Sequence, residues 1–172
     1  MGAAIGGDDT TIPVEVDLAS EFRYRRPIIG DGALVVPVSQ SGETADTLAA
    51  LREGRERGAR IFAISNSRAS TIARESDDVL YTHAGPEIGV ASTKAFTTQL
   101  AALALLTIAL ARRNGLEEKQ ERILVAQLAK IPGLIEQVLA LDSAIETLAK
   151  HFVDKQHALF LGRGVQNPVA ME

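Results

Sequence analysis

Residues 33–44 read ALVVPVSQSGET, and this stretch decides the fold class. Its first half, residues 33–38, is an almost uninterrupted apolar run, as is typical of strands that are covered on both faces. Its second half is rich in hydroxyl groups and contains Gly42, and a helical pattern follows over residues 44–57. Gly58 marks the end of that helix. A strand, a tight polar turn and a helix in this order predict one unit of a parallel α/β fold.

The same alternation continues along the chain. Further strands are predicted at residues 12–16, 60–64, 79–82 and 158–161, and further helices at residues 70–75, 92–113, 117–130 and 133–153. Strands separated by helices imply right-handed crossovers and a mostly parallel sheet, and such sheets bind ligands at the carboxyl ends of their strands. The 172 residues are predicted to form a single domain, with its core at residues 12–161 and an atypical or disordered segment at residues 1–11.

The composition excludes several classes of function. A net charge of −4 argues against a general nucleic-acid binder, because no basic face is needed to explain it. The absence of cysteine excludes disulfides, thiolate nucleophiles and cysteine-ligated metals. His83, His151 and His157 are far apart in sequence and give no metal-binding spacing. We therefore expect neither a metal nor another cofactor.

Residues 95–111 read AFTTQLAALALLTIALA and approach the length of a membrane span. The stretch contains Thr97, Thr98 and Gln99 and is rich in alanine, so a buried central helix is the better interpretation. Residues 1–9, MGAAIGGDD, lack the basic and apolar regions of a secretory signal. We expect a soluble cytoplasmic protein that does not contact a membrane.

The turn at residues 39–44, SQSGET, has two interpretations. In the first, the turn binds an anion, because the first N–H groups of a helix lack internal partners and the helix dipole favours negative charge there. Three hydroxyls and the Gln40 amide could then donate to phosphate oxygens. In the second, Ser41 or Thr44 caps the helix and Glu43 favours its first turn. One cap explains a single hydroxyl, so the cluster favours the anion site.

A second polar loop, residues 84–94, precedes the long helix at the same predicted edge of the sheet. It contains a candidate cap in Ser92 or Thr93 and two opposite charges, Glu87 and Lys94. A lysine in the first turn of a helix opposes the dipole, so Glu87 or a bound anion should compensate it. The alternative is a weak surface pair between the two side chains. His83, just before this loop, is interpreted as a strand-end residue rather than a catalytic base.

Four segments together resemble one known family. Residues 19–25 (ASEFRYR), 39–47 (SQSGETADT), 87–99 (EIGVASTKAFTTQ) and 159–164 (LFLGRG) closely resemble the isomerase region of the glutamine–fructose-6-phosphate aminotransferases. The resemblance covers about residues 12–172 and rests on long, specific motifs. Members of this family make glucosamine 6-phosphate from fructose 6-phosphate and glutamine.

The resemblance implies a fold and a set of ligand contacts. The fold is a three-layer α/β/α arrangement with a mostly parallel sheet, the flavodoxin-like sugar isomerase (SIS) fold, incomplete at its amino end. The phosphate of fructose 6-phosphate or glucosamine 6-phosphate would be held by Ser39, Gln40, Ser41 and Thr44. The sugar hydroxyls would meet the Val90 backbone and Ser92. The family also suggests a homodimer.

The departures from the family bear on catalysis. The family's first isomerase subdomain opens with a strand and a Cys-Gly-Thr-Ser loop, for which residues 1–9 offer no equivalent. Its catalytic Lys, Glu and His residues correspond to positions beyond Glu172. We therefore expect no catalytic residue here, and a truncated piece of the isomerase region that binds sugar phosphate without turning it over. A non-catalytic sugar-phosphate sensor and an inert remnant remain as alternatives.

Overall fold

The computed structural model describes residues 12–88 and 92–171. The predicted disorder of residues 1–11 lies outside these residues. The described strands are β1 (Leu34–Val35), β2 (Val38–Ser39), β3 (Arg60–Ser65) and β4 (Asp78–Tyr81). The described helices are α1 (Ala19–Phe22), α2 (Ala45–Glu56), α3 (Thr71–Glu75), α4 (Thr93–Arg113), α5 (Glu118–Leu128), α6 (Ile131–Leu139), α7 (Asp142–Ala149) and α8 (Asn167–Met171), with 3-10 turns at Lys150–Phe152 and Gly164–Gln166.

The sheet is parallel, with β3 at its centre. Strands β1 and β2 pair with the same side of β3 at one constant offset, Leu34 with Arg60 and Val38 with Ile64. They are two halves of the single strand that the apolar run predicts. The ladder is interrupted at Pro37, which has no N–H to donate, although its carbonyl oxygen accepts from the Ile64 N–H at 2.9 Å. Strand β4 pairs with the other side of β3.

The core lies on both faces of β3. Ile61 and Ala63 are fully buried and cluster with Leu51 of α2 and Ile72 of α3. Ile64 alternates with these residues and is also fully buried, so the opposite face of the strand is covered as well. Helix α4 contacts β3. This layered parallel α/β arrangement confirms the predicted fold class.

Two predicted strands are wrong. Residues 12–16 and 158–161 form no strand, and most of their apolar side chains are exposed, with Val16 at 82% and Phe160 at 75%. A strand is stabilised by the hydrogen bonds and side-chain contacts of a neighbouring strand, and none of the described strands pairs with either segment. In both cases a short apolar run predicted a strand for which the described residues provide no partner strand.

Helix α4 was predicted to be a buried central helix, and that prediction is wrong. One stripe of it is buried, including Ala95, Ala102 and Ile108, whereas Leu105 is 51% exposed. By length and composition α4 is the one described helix that could cross a membrane, or one of two if the bent pair of 118–139 and 142–152 is counted as a span. A core helix of a soluble protein passes the same test, so this is weak support for a membrane segment.

The chain divides into two compact units, Met1–Val125 and Ala126–Glu172. The first contains the sheet and every buried hydrophobic residue named above. In the second, α6 and α7 bury no side chain, and apolar residues such as Leu134, Val138 and Ile145 are more than half exposed. The prediction that all 172 residues form one domain stays a prediction.

Candidate functional site

The turn after β2 is held in shape by its own hydroxyl groups. Ser39 is 7% exposed, and its Oγ accepts a hydrogen bond from the Gly42 N–H at 3.0 Å. The Ser41 Oγ accepts from the Glu43 N–H at 3.2 Å. An accepting hydroxyl keeps its own proton to donate, so both serines can support the turn and still face an anion as donors. Gln40 in the same turn is half-buried.

Gly42 lies at the closest approach of this turn to the rest of the fold. Its φ is 67°, in the left-handed region that glycine adopts at no steric cost. A Cβ atom at this position would lie 2.5 Å from the Ser70 Cβ and 3.0 Å from the Ser65 Oγ. The turn therefore packs directly on two buried serines and has no room for a side chain.

The helix-cap interpretation of this turn is not what the structure shows. Thr44 is the N-cap residue of α2, yet within the described residues its side chain makes no capping hydrogen bond. The Ser41 hydroxyl bonds inside the turn instead. The N-terminal N–H groups of α2 are consequently not capped by either hydroxyl, and Ser41, Glu43 and Thr44 beside them are exposed. The first-turn acid, Asp46, is paired with Arg23 at 3.1 Å.

Glu43 does not serve α2, as the sequence suggested, but α3. Its Oε1 accepts a hydrogen bond from the N–H of Thr71 at 2.7 Å. Thr71 is the first residue of α3. This backbone hydrogen bond lowers the pKa of the Glu43 carboxyl below its usual value. The Ile72 N–H also donates to the Gly42 carbonyl at 3.0 Å. The turn is therefore fixed to the neighbouring strand–helix connection by two hydrogen bonds.

In the second loop, Glu87 offsets the positive charge of Lys94 at the N-terminus of α4, as predicted, but without pairing with Lys94. The Glu87 Oε2 accepts from the Ala95 N–H at 3.1 Å, so this carboxylate caps the N-terminus of α4. Lys94 does not pair with it; the Nζ donates to the Pro86 carbonyl at 2.7 Å instead. Glu87 thus supplies the negative charge that the N-terminus of α4 favours.

The predicted sugar contacts are described only in part. Ser92 is the N-cap residue of α4, with a φ of 55° and, within the described residues, no side-chain capping bond. Val90 lies outside the described residues. The turn at residues 39–44 follows β2 and the second loop follows β4, and these strands flank β3 in a parallel sheet. Both loops therefore leave the sheet at its carboxyl edge, as predicted.

His83 occupies the left-handed region with a φ of 53°, and its ring centroid is 6.3 Å from that of Tyr81. A residue with a Cβ atom is strained in this conformation, and asparagine tolerates it better than most. We expect His83→Asn to leave the melting temperature unchanged or to raise it, and His83→Val to lower it by several degrees. A valine variant as stable as the wild type would contradict this interpretation.

Sequence reasoning missed the residues behind the two loops. Ser65 and Ser70 are almost fully buried, and the Ser70 Oγ donates to the Ser67 carbonyl at 2.9 Å. Asn66, at the carboxyl end of β3, bonds to the loop that follows β4. One signal was available: the triplet SNS at residues 65–67 begins with the last residue of β3, as the triplet SQS at residues 39–41 begins with the last residue of β2. In the described part of the chain, no group of three or more His, Asp or Glu side chains could hold a metal ion.

The fold and the loop geometry define a class of protein. Residues 9–109 match the SIS domain family; this is more than half of the chain, which therefore belongs to that family. A solved structure with this arrangement is the C-terminal domain of glucosamine-fructose-6-phosphate aminotransferase from Francisella tularensis. It is 46% identical, with a TM-score of 0.88, over 92% of this chain and 46% of that one.

The most similar curated proteins in the comparison carry one name. The glutamine–fructose-6-phosphate aminotransferases (isomerizing) of Pseudomonas syringae and Escherichia coli are 56% and 53% identical, each over 94% of this chain. The chain spans about 27% of the length of each. The resemblance predicted from the sequence motifs is thereby confirmed.

Proposed function

We propose that this chain binds the phosphate group of fructose 6-phosphate or glucosamine 6-phosphate in the turn at residues 39–44. The carrying observation is that α2 begins directly after a hydroxyl-rich turn while Thr44, its N-cap residue, makes no capping bond of its own. Backbone N–H groups at such a position, together with the helix dipole, favour a bound anion. The names of the relatives, which act on fructose 6-phosphate, support the choice of a sugar phosphate.

Several residues of the turn would contribute to phosphate binding. The Thr44 and Ser41 hydroxyls and the Gln40 amide would donate to phosphate oxygens, and Ser39 would shape the turn through its bond to Gly42 while offering its own proton. No lysine or arginine occurs within residues 39–44, so neutral donors and the dipole would carry the binding. Ser92 and the Val90 backbone would contact the sugar hydroxyls.

Thermal unfolding tests this proposal. We expect fructose 6-phosphate and glucosamine 6-phosphate each to raise the melting temperature, because a ligand at about one hundred times its Kd adds roughly 2.7 kcal/mol to the folded state. Unphosphorylated fructose at the same concentration is the matched control and should give no shift. Equal shifts from fructose and its phosphate would show that the phosphate group is not what the chain binds.

We further propose that the 172 residues alone do not convert fructose 6-phosphate and ammonia into glucosamine 6-phosphate. Ring opening, imine formation and proton transfer require an acid–base residue and an amine that react with the sugar. The described loops contain Glu87 and Lys94, but the Glu87 carboxylate is hydrogen-bonded to the Ala95 N–H and the Lys94 Nζ to the Pro86 carbonyl. The purified chain is expected to give no glucosamine 6-phosphate above a no-protein blank in a coupled or mass-spectrometric assay. Turnover that copurifies with the chain would contradict this.

We also propose that the protein is located in the cytoplasm and forms a homodimer. The relatives support the cytoplasm through their names, which describe an enzyme of sugar phosphate metabolism. The exposed apolar side chains of α6 and α7, among them Leu134, Val138 and Ile145, support association, since removing exposed apolar surface from water is favourable.

A further inference from the structure

We propose that Asn66 is a positioning residue for the sugar side of the site, which holds residues 82–85 at the start of the loop that contains Ser92. This inference rests on the proposed function, because it assigns Asn66 a part in binding the same sugar phosphate. Asn66 itself is not placed in contact with the ligand. Asn66 acts instead through the backbone of Ala84 and Gly85, to which its side chain is hydrogen-bonded.

Three hydrogen bonds join the Asn66 side chain to this loop. Its Oδ1 accepts from the Ala84 N–H at 2.8 Å and from the Thr82 Oγ1 at 3.2 Å. Its Nδ2 donates to the Gly85 carbonyl at 2.8 Å. A backbone N–H can only donate and a carbonyl can only accept, so this network fixes which end of the amide carries the oxygen.

Asparagine suits this position because its side-chain amide can both accept and donate hydrogen bonds. Aspartate would retain the two accepted hydrogen bonds but would lose the donor and place a charge against the Gly85 carbonyl. Alanine would lose all three bonds. The segment needs such a restraint because it contains two non-glycine residues in the left-handed region, His83 and Ser92, a conformation that persists only where the surroundings determine it.

The two ligand loops are supported by different side chains. The phosphate turn is held by Thr71, Ile72 and the buried serines Ser65 and Ser70. The loop after β4 is held by the Asn66 side chain, beside one backbone hydrogen bond from the Thr82 N–H to the Ser65 carbonyl at 3.1 Å. Loss of the Asn66 side chain should therefore weaken contacts with the sugar while the phosphate turn remains as it was. A residue with only a general structural role would affect both loops together.

The test uses the 172-residue chain and calorimetric titration with two probes, fructose 6-phosphate and inorganic phosphate. Asn66→Ala is expected to weaken the binding of fructose 6-phosphate at least tenfold and to leave the affinity for inorganic phosphate within about twofold of the wild type. Asn66→Asp should behave in the same direction. The matched control is Asn114→Ala, since the Asn114 Nδ2 also donates to a backbone carbonyl, that of Leu110, at the far end of α4.

Each remaining outcome decides the matter. Asn66→Ala that binds fructose 6-phosphate as the wild type does rejects the positioning role and leaves the proposed function standing. A parallel loss of affinity for both probes shows a general structural role and also rejects it. A wild-type chain that binds neither probe overturns the proposed function, and the positioning role with it. In parallel, hydrogen exchange at the Ala84 amide should be faster in Asn66→Ala, and unchanged exchange contradicts the proposed bond.

Discussion

Gly42→Ala is expected to destabilise the protein by about 2–5 kcal/mol and to abolish the binding of sugar phosphate. About 1–2 kcal/mol arises because a residue with a Cβ atom is forced into the left-handed region, where Gly42 lies with a φ of 67°. A further ~1–3 kcal/mol arises from overpacking, since the new methyl would lie 2.5 Å from the Ser70 Cβ. Relief of that contact requires the turn and Ser70 to move apart. Denaturant unfolding gives the first quantity and calorimetry the second.

Gly58→Ala is the matched control for this prediction. Gly58 also has a positive φ, 89°, but a Cβ atom there would meet nothing within 4 Å. It should therefore show the conformational cost alone, about 1–2 kcal/mol, and should bind fructose 6-phosphate normally. If the two alanine variants lost equal stability, the close packing of Gly42 on Ser70 would not be a feature of the folded protein.

The double variant Ser39→Ala/Thr44→Ala is expected to lose detectable binding of fructose 6-phosphate and to remain folded. Removal of the Ser39 hydroxyl leaves the buried Gly42 N–H without its partner, which costs about 1–3 kcal/mol of stability. The single variant Thr44→Ala isolates the ligand contact, because the exposed Thr44 side chain makes no capping bond. A hydrogen bond to a charged group contributes about 1.5–3 kcal/mol, so this variant alone should bind at least tenfold more weakly.

Ser143→Ala/Thr147→Ala is the control for the loss of a serine and a threonine hydroxyl. Both residues are exposed on α7, and the Thr147 Oγ1 donates only to the Ser143 carbonyl of its own helix. Calorimetry should show wild-type affinity for this control. Normal affinity in Thr44→Ala, with circular dichroism unchanged, would remove Thr44 from the phosphate site.

The sequence predicted the part of the fold in which local pattern and tertiary structure agree. The apolar run at residues 33–38, the strand at 60–64 and the helices on either side were found within a few residues of their expected bounds. The strands predicted at residues 12–16 and 158–161 were wrong because a strand needs a neighbouring strand, and the local sequence pattern does not show whether one is present. The prediction that α4 is buried was wrong for a related reason, because composition does not tell how much surface is available for a helix to pack against.

The candidate site was predictable to the same extent. The turn at residues 39–44 was recognisable because its three hydroxyl groups lie within six consecutive residues. Its supports were not, because the Glu43–Thr71 and Asn66–Ala84 hydrogen bonds join residues 28 and 18 positions apart. Glu43 shows the difficulty most plainly. It precedes α2 in the sequence, where an acid is expected to favour that helix, yet its carboxylate caps α3.

The central claim, that the N-terminus of α2 holds the phosphate, is tested most directly by an NMR titration that follows the backbone amides. We predict that fructose 6-phosphate shifts the amide signals of residues 41–47, that inorganic phosphate shifts the same set less strongly, and that fructose shifts none of them. The amides of α7, such as that of Thr147, serve as an internal reference and should not move. Shifts from fructose 6-phosphate that are confined to other parts of the chain would contradict the account.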